Sequence, residues 1–133
     1  MTSPTAPAAR HAPFQVSEDK YSASLHMDAG GPRVQFRGTI STVNPATVLN
    51  PFVDAVHDQM SKAGVKQVLV DFKELEFCNS SGFKSFIHWI QRIQELPDAQ
   101  RYKLRFASNA QRKWQRTSLL ALSCYGISTV TTD

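Results

Sequence analysis

The chain has 133 residues, and its 15 Lys and Arg against 11 Asp and Glu give a formal net charge of +4 at pH 7. This length suits one domain with one hydrophobic core and is too short for two independent cores. No run of about eighteen apolar residues occurs, and no apolar segment follows a charged start. The sequence therefore predicts neither a membrane span nor a signal peptide, and we expect a cytoplasmic protein.

The first residues differ in composition from the rest of the chain. Pro4, Pro7 and Pro13 stand among alanine, serine and threonine, with little apolar surface to bury. We therefore expect a disordered tail over residues 1–13 and a single domain over residues 14–133.

Two loosely alternating segments and a helical pattern follow the tail. Residues 21–26 and 33–40 flank Gly30-Gly31-Pro32 and predict an antiparallel hairpin. A helix is predicted to begin near Pro45 and to end at Gly64.

The central stretch reads as a strand, a short loop and a helix. Residues 68–72 form an apolar run typical of a buried strand, and Asn79-Ser80-Ser81-Gly82 prefers turns and helix starts. Apolar residues then recur with helical spacing at Phe83, Phe86, Ile87, Ile90 and Ile93. Ser80 is thus predicted to lie at the amino end of an anchored helix, with Asn79 or Ser80 as its N-cap and Ser81 and Gly82 in the same capping motif.

The remaining pattern continues the alternation of strands and helices. A strand is predicted over residues 104–107, a helix over 111–125 and a last strand over 127–131, which together favour mainly parallel strands. Loops that follow parallel strands gather at one edge of a sheet. Ser108 and Asn109 are therefore predicted to share a surface with residues 79–82.

The strand, the Asn79-Ser80-Ser81-Gly82 motif and the following helix resemble the STAS domain of bacterial anti-sigma factor antagonists and of the cytoplasmic ends of sulfate transporters. The resemblance covers about residues 35–131, although Asn79 replaces the usual aspartate of the motif and Phe83 the usual leucine. It implies an α/β fold, a STAS-like mixed sheet with an N-terminal antiparallel hairpin and helices packed mainly on one side. In the antagonists the first serine of the motif accepts a phosphoryl group, and this role falls on Ser80.

The resemblance implies a non-enzymatic partner-switching regulator. A serine kinase of the anti-sigma type would phosphorylate Ser80, and a PP2C-type phosphatase would remove the phosphate. The free amides and the positive dipole end of the helix would accommodate the added negative charge. Two alternatives stay open: a constitutive scaffold subunit of a signalling or transport complex, favoured by Asn79, and a small-anion or nucleotide site at the same helix end.

A partner-binding surface is predicted from residues near the motif that fall outside the apolar stripe, together with the second loop. Its members are Lys84, Ser85, His88, Trp89, Arg92, Ser108 and Asn109. Trp89 either contributes an exposed hot spot or packs against a neighbouring helix. Lys84 lies one turn after Ser80, where it would pair with a phosphoryl group.

The sequence disfavours catalysis, metal binding and cofactors. Ser81 and His88 are two helical turns apart, about 10 Å by helical rise, and the other histidines have no metal-ligand spacing. Cys78 and Cys124 are interpreted as reduced buried thiols, although a redox-sensitive Cys78 stays open.

Positive charge concentrates in the last third of the chain. The residues are Lys103, Arg105, Arg112, Lys113 and Arg116. They predict a solvated basic face that fits an acidic partner. Nucleic-acid binding is the less favoured interpretation, since Trp114 has the spacing of a packing residue with Thr117 and Ala121.

Overall fold

The computed structural model describes residues 10–132, which form one seven-stranded sheet in sequence order. The antiparallel strands are β1 (Arg10–Ala12), β2 (Gln15–Ser17), β3 (Tyr21–Asp28) and β4 (Gly31–Ile40). Continuing parallel to β4 are β5 (Gln67–Cys78), β6 (Lys103–Ala107) and β7 (Val130–Thr132). The helices are α1 (Ala46–Ala63), α2 (Ser80–Gln94) and α3 (Lys113–Ser123), with a short 3₁₀ turn over Asp98–Gln100.

The order of the strands explains where the helices lie. Each parallel strand is added beyond the previous one in the same direction, so right-handed crossovers carry all three helices over the same face of the sheet. The predicted α/β architecture, a mixed sheet with an N-terminal antiparallel hairpin and helices on one side, is confirmed.

Several boundaries differ from the prediction. The apolar run predicted as a strand over residues 68–72 is the middle of β5, which extends to Cys78 because β4 runs alongside it as far as Ile40 through two register shifts. The chain joins the sheet at Arg10, inside the predicted tail, whose residues 1–9 lie outside the described residues. The last strand begins only at Val130, and α3 is shorter than predicted at both ends.

An aromatic cluster fixes α2 on the sheet. The ring of Phe86 lies 5.0 Å from that of Phe36 on β4 and 5.2 Å from that of Phe72 on β5, both with edge-to-face geometry. Each such pair contributes about 0.5–1.5 kcal/mol beyond the area that it buries. These contacts therefore hold the first half of α2 firmly against β4 and β5.

A buried polar chain joins α1, α2 and the residue before β6. The Tyr102 hydroxyl lies 2.7 Å from Nδ1 of His57 and 2.9 Å from Nε1 of Trp89. Indole N–H only donates, so the Tyr102 oxygen accepts this bond and its own proton is free for Nδ1 of a neutral His57. Burial, with a smaller effect of the Arg92 charge, lowers the pKa of His57 and favours this neutral form.

We expect the free energy of unfolding to fall as the pH drops below about 6.5, the ordinary pKa of histidine. His57 has a lowered pKa in the folded state only, so the unfolded chain binds the proton first and acid favours unfolding, by up to about 1.4 kcal/mol per pH unit. Urea unfolding of the wild type and of His57→Gln between about pH 7.5 and 5.5 measures the effect. An equal loss of stability in both proteins would contradict it.

Candidate functional site

Asn79 organises the junction between β5 and α2. Its Oδ1 accepts a hydrogen bond from the Gly82 amide at 2.7 Å, which makes it the N-cap of α2. Its Nδ2 donates to the Thr42 carbonyl at 2.9 Å, and its backbone amide donates to the Ile40 carbonyl at 2.9 Å. An aspartate would preserve the cap but could not donate to Thr42, so asparagine gives this junction an additional bond.

Gly82 is required for close packing. A Cβ atom at this position would lie 2.6 Å from Sγ of Cys78 and 2.8 Å from Cγ2 of Ile40. The first turn of α2 therefore sits directly on the ends of β4 and β5, and a side chain here would push it away.

Ser80 is exposed and is the first residue of α2, whereas Ser81 is half-buried. The first turn of the helix contains no acidic residue, and Lys84 is exposed one turn later. Backbone N–H groups in the first turn of a helix have no carbonyl partner within the helix, and the positive end of the helix dipole lies there. The position of Ser80 thus suits an added anionic group.

Two exposed apolar side chains lie on the chain segments that adjoin Ser80, and the sequence prediction missed them. Val43 is 95% exposed and follows Thr42, whose carbonyl binds Asn79, and Phe77 is 45% exposed near the end of β5. We refer to Val43, Phe77, Ser80 and Lys84 as the Ser80 surface. The short spacing of Phe77 from the motif was an available signal for its place on this surface.

Two residues of the predicted partner surface are buried, so the prediction is wrong for Ser85, and for Trp89 the packing alternative holds. Ser85 and Trp89 are both 0% exposed, and Trp89 donates to Tyr102 in the core. The buried face of α2 consists of Gly82, Ser85, Phe86, Trp89, Ile90 and Ile93. Phe83 and Ile87, predicted to be core residues, are only half-buried. The buried face of α2 is rotated towards Ser85 and Trp89 relative to the prediction, because α1 packs against that side of α2.

His88 and Arg92, also predicted for that surface, are bound to α1. The Oδ1 atom of Asp54 lies 2.7 Å from Nε2 of His88 and 2.7 Å from Nη1 of Arg92. Partial burial would raise the pKa of Asp54, but these two partners outweigh burial and lower it. His88 and Arg92 are half-buried and connect two helices. Of the five α2 residues predicted for the partner surface, Lys84 alone is exposed.

Ser108 and Asn109 do not share a surface with the motif. Both are half-buried, and Nδ2 of Asn109 donates to the Lys73 carbonyl, six residues before Asn79. Along an extended strand this separation is about 20 Å. The prediction assumed that the loops after β5 and β6 leave the sheet at the same height. However, β6 ends opposite Asp71, whereas β5 continues to Cys78.

Trp114 connects the start of α3 with the end of β5. Its ring lies 6.4 Å from that of Phe77 and 6.3 Å from that of Phe83. It is half-buried rather than fully enclosed, and Thr117 and Ala121, the other members of the predicted packing stripe, are exposed. Trp114 therefore packs as predicted, but its partners are the rings of Phe77 and Phe83 beside the Ser80 surface.

The two cysteines occupy different environments. Burial raises the pKa of Cys78 to about 12, so its thiol stays protonated near neutral pH and does not have the reactivity of a redox sensor. Cys124 is exposed, which corrects the prediction that both thiols are buried.

Within residues 10–132, no three His, Cys, Asp or Glu side chains come close enough to hold a metal ion. The helices of the same region are too short or too polar to cross a membrane. Compared with models of protein families and with curated proteins, the sequence matches none of them.

Proposed function

We propose that this chain is a STAS-type partner-switching regulator, and that phosphorylation of Ser80 is its switch. The observation that carries the proposal is an exposed serine at the first position of a helix packed on the sheet, with exposed apolar side chains on the two chain segments that adjoin it. A partner that packs on Val43 and Phe77 would also cover the Ser80 hydroxyl, and removing water from a hydroxyl costs little free energy. The same partner would have to desolvate a phosphate.

The electrostatic change at this position would be large. Asn79 is neutral and the first turn of α2 holds no acid, so a phosphate would bring about −1.5 to −2 charges to a helix turn that has none. The helix end and Lys84 would stabilise that charge within the chain. The folded domain would therefore tolerate phosphorylation while the fitted partner would not.

The enzymes of the switch follow from the resemblance to anti-sigma factor antagonists. The partner that binds the unmodified chain would be a serine kinase of the anti-sigma type, and a PP2C-type phosphatase would restore Ser80. The switch would operate in the cytoplasm and would require no catalysis and no cofactor from this chain.

The affinity of Ser80→Asp for a partner purified with the wild type tests the proposal. We expect roughly thirty-fold weaker binding, about 2 kcal/mol, because a charge must be buried against a fitted surface. Ser128→Asp is the matched control, since Ser128 is also exposed, and its affinity should equal that of the wild type.

The second candidate is a constitutive scaffold that is never phosphorylated. The observation in its favour is that both Asn79 amide atoms are used in structural hydrogen bonds. Equal partner affinities for the wild type, Ser80→Asp and Ser128→Asp would support the scaffold and contradict the switch.

A further inference from the structure

A cleft of about 820 Å³ lies between α3, the loop after β6 and the end of β7. Its lining residues are Ser108, Asn109, Ala110, Arg112, Lys113, Arg116, Thr117, Leu119, Leu120 and Thr132. Small-molecule sites enclose about 300–1,000 Å³, so this volume is sufficient for one. Ser80 is not part of the lining, which makes the cleft separate from the Ser80 surface.

All charged side chains that the structure describes in the cleft are positive. Arg112, Lys113 and Arg116 line it, and no carboxylate does. The side chains of these three residues form no ion pair or hydrogen bond within residues 10–132. The cleft thus gathers three cations whose charges no described carboxylate neutralises.

Arg112 has one buried and two accessible donor groups in its guanidinium. Its Nε atom is buried and has no hydrogen-bond partner among the described residues. A buried donor without an acceptor is unfavourable, and a donor that carries charge is more so. The two Nη groups of Arg112 are not enclosed in this way and form no hydrogen bond with the described residues, so they are the donors that a ligand in the cleft would meet.

The cleft changes from charged to apolar along α3. Positions 112, 116, 119 and 120 recur at helical spacing, so Arg112 and Arg116 share one side of the helix with Leu119 and Leu120. The cations lie at the amino end, where the helix dipole favours anions. The leucines follow three to eight residues after these cations, about 5–12 Å further along the axis.

We propose that this cleft binds a small amphipathic anion. Its phosphate or carboxylate head contacts Arg112, Lys113 and Arg116, and its apolar body packs on Leu120, which is 59% exposed. The site does not depend on phosphorylation of Ser80, so either proposal can fail without the other.

Nuclear magnetic resonance titration of the full chain with phenyl phosphate and with phenylacetate tests the site. We expect saturable amide shifts at residues 108–120 and at Thr132 with at least one probe, and none at residues 79–84. The probe that binds more tightly identifies the head group. Absence of saturable shifts with both probes, or shifts centred on residues 79–84, would overturn the proposal.

Paired variants test the two ends of the cleft. Arg116→Gln should weaken the tighter probe about tenfold, the effect of losing one charged contact, while Arg37→Gln, an exposed arginine outside the cleft, should leave it unchanged. Leu120→Ser should weaken the same probe several-fold and leave inorganic phosphate unaffected. Equal binding by Arg116→Gln and Arg37→Gln would exclude this cleft, and unchanged binding by Leu120→Ser would exclude an amphipathic ligand.

Discussion

Replacing Gln115 with leucine is expected to lower the free energy of unfolding by about 3 kcal/mol. Gln115 is 0% exposed, and its Nε2 donates to the Phe72 carbonyl at 2.7 Å and to the Leu75 carbonyl at 2.8 Å. Its Oε1 accepts from the Asn109 amide at 2.8 Å. Leucine fills a similar volume but leaves these three backbone groups without their partner.

The topology explains why one side chain matters so much. β6 pairs with β5 only as far as Asp71, and β5 continues without a strand neighbour on that side. Gln115 substitutes for the missing strand by satisfying carbonyl groups of β5. Because β5 leads to Asn79, the same side chain supports the position of Ser80.

Urea unfolding measures this effect against a matched control. Gln91 is an exposed glutamine within α2, so Gln91→Leu should change stability by no more than about 0.5 kcal/mol. If Gln115→Leu were no less stable than Gln91→Leu, Gln115 would not have the assigned role.

Replacing Tyr102 with phenylalanine is expected to cost about 2–3 kcal/mol. The change removes one oxygen atom and keeps the ring, but it leaves Nδ1 of His57 and Nε1 of Trp89 without their shared partner. Tyr102 is 1% exposed, so water cannot readily replace the hydroxyl. The loss arises from unsatisfied polar groups rather than from a cavity.

Tyr125 provides the control for this substitution, because it is 54% exposed. Tyr125→Phe should remain within about 0.5 kcal/mol of the wild type in the same urea experiment. A Tyr102→Phe protein as stable as Tyr125→Phe would show that the buried chain of hydrogen bonds contributes nothing to stability.

The order of elements was predictable because each element carries its own periodicity. Hydrophobic spacing located all three helices, and Gly30-Gly31-Pro32 located the hairpin. The extension of β5 was not predictable, since residues 73–78 mix charged and apolar side chains as a loop would. Their strand conformation depends on pairing with the end of β4, a contact distant in sequence.

The candidate site shows the same division between local and distant causes. The helix start at Ser80 was predicted from local sequence, and of the two predicted cap candidates, Asn79 and Ser80, the structure shows Asn79 as the cap. The burial of Trp89 and the pairing of His88 with Asp54 depend on how α1 lies against α2. Helical spacing identifies an apolar stripe, but a neighbouring helix decides how far that stripe is rotated.

Tandem mass spectrometry of the chain purified from its native cells tests the switch at Ser80 most directly. We expect one phosphoryl group on Ser80, present in Ser81→Ala and absent from Ser80→Ala. Treatment with a PP2C-type phosphatase should remove it. A Ser80 that stays unmodified both in cells and after incubation with the kinase that binds the chain would contradict the account.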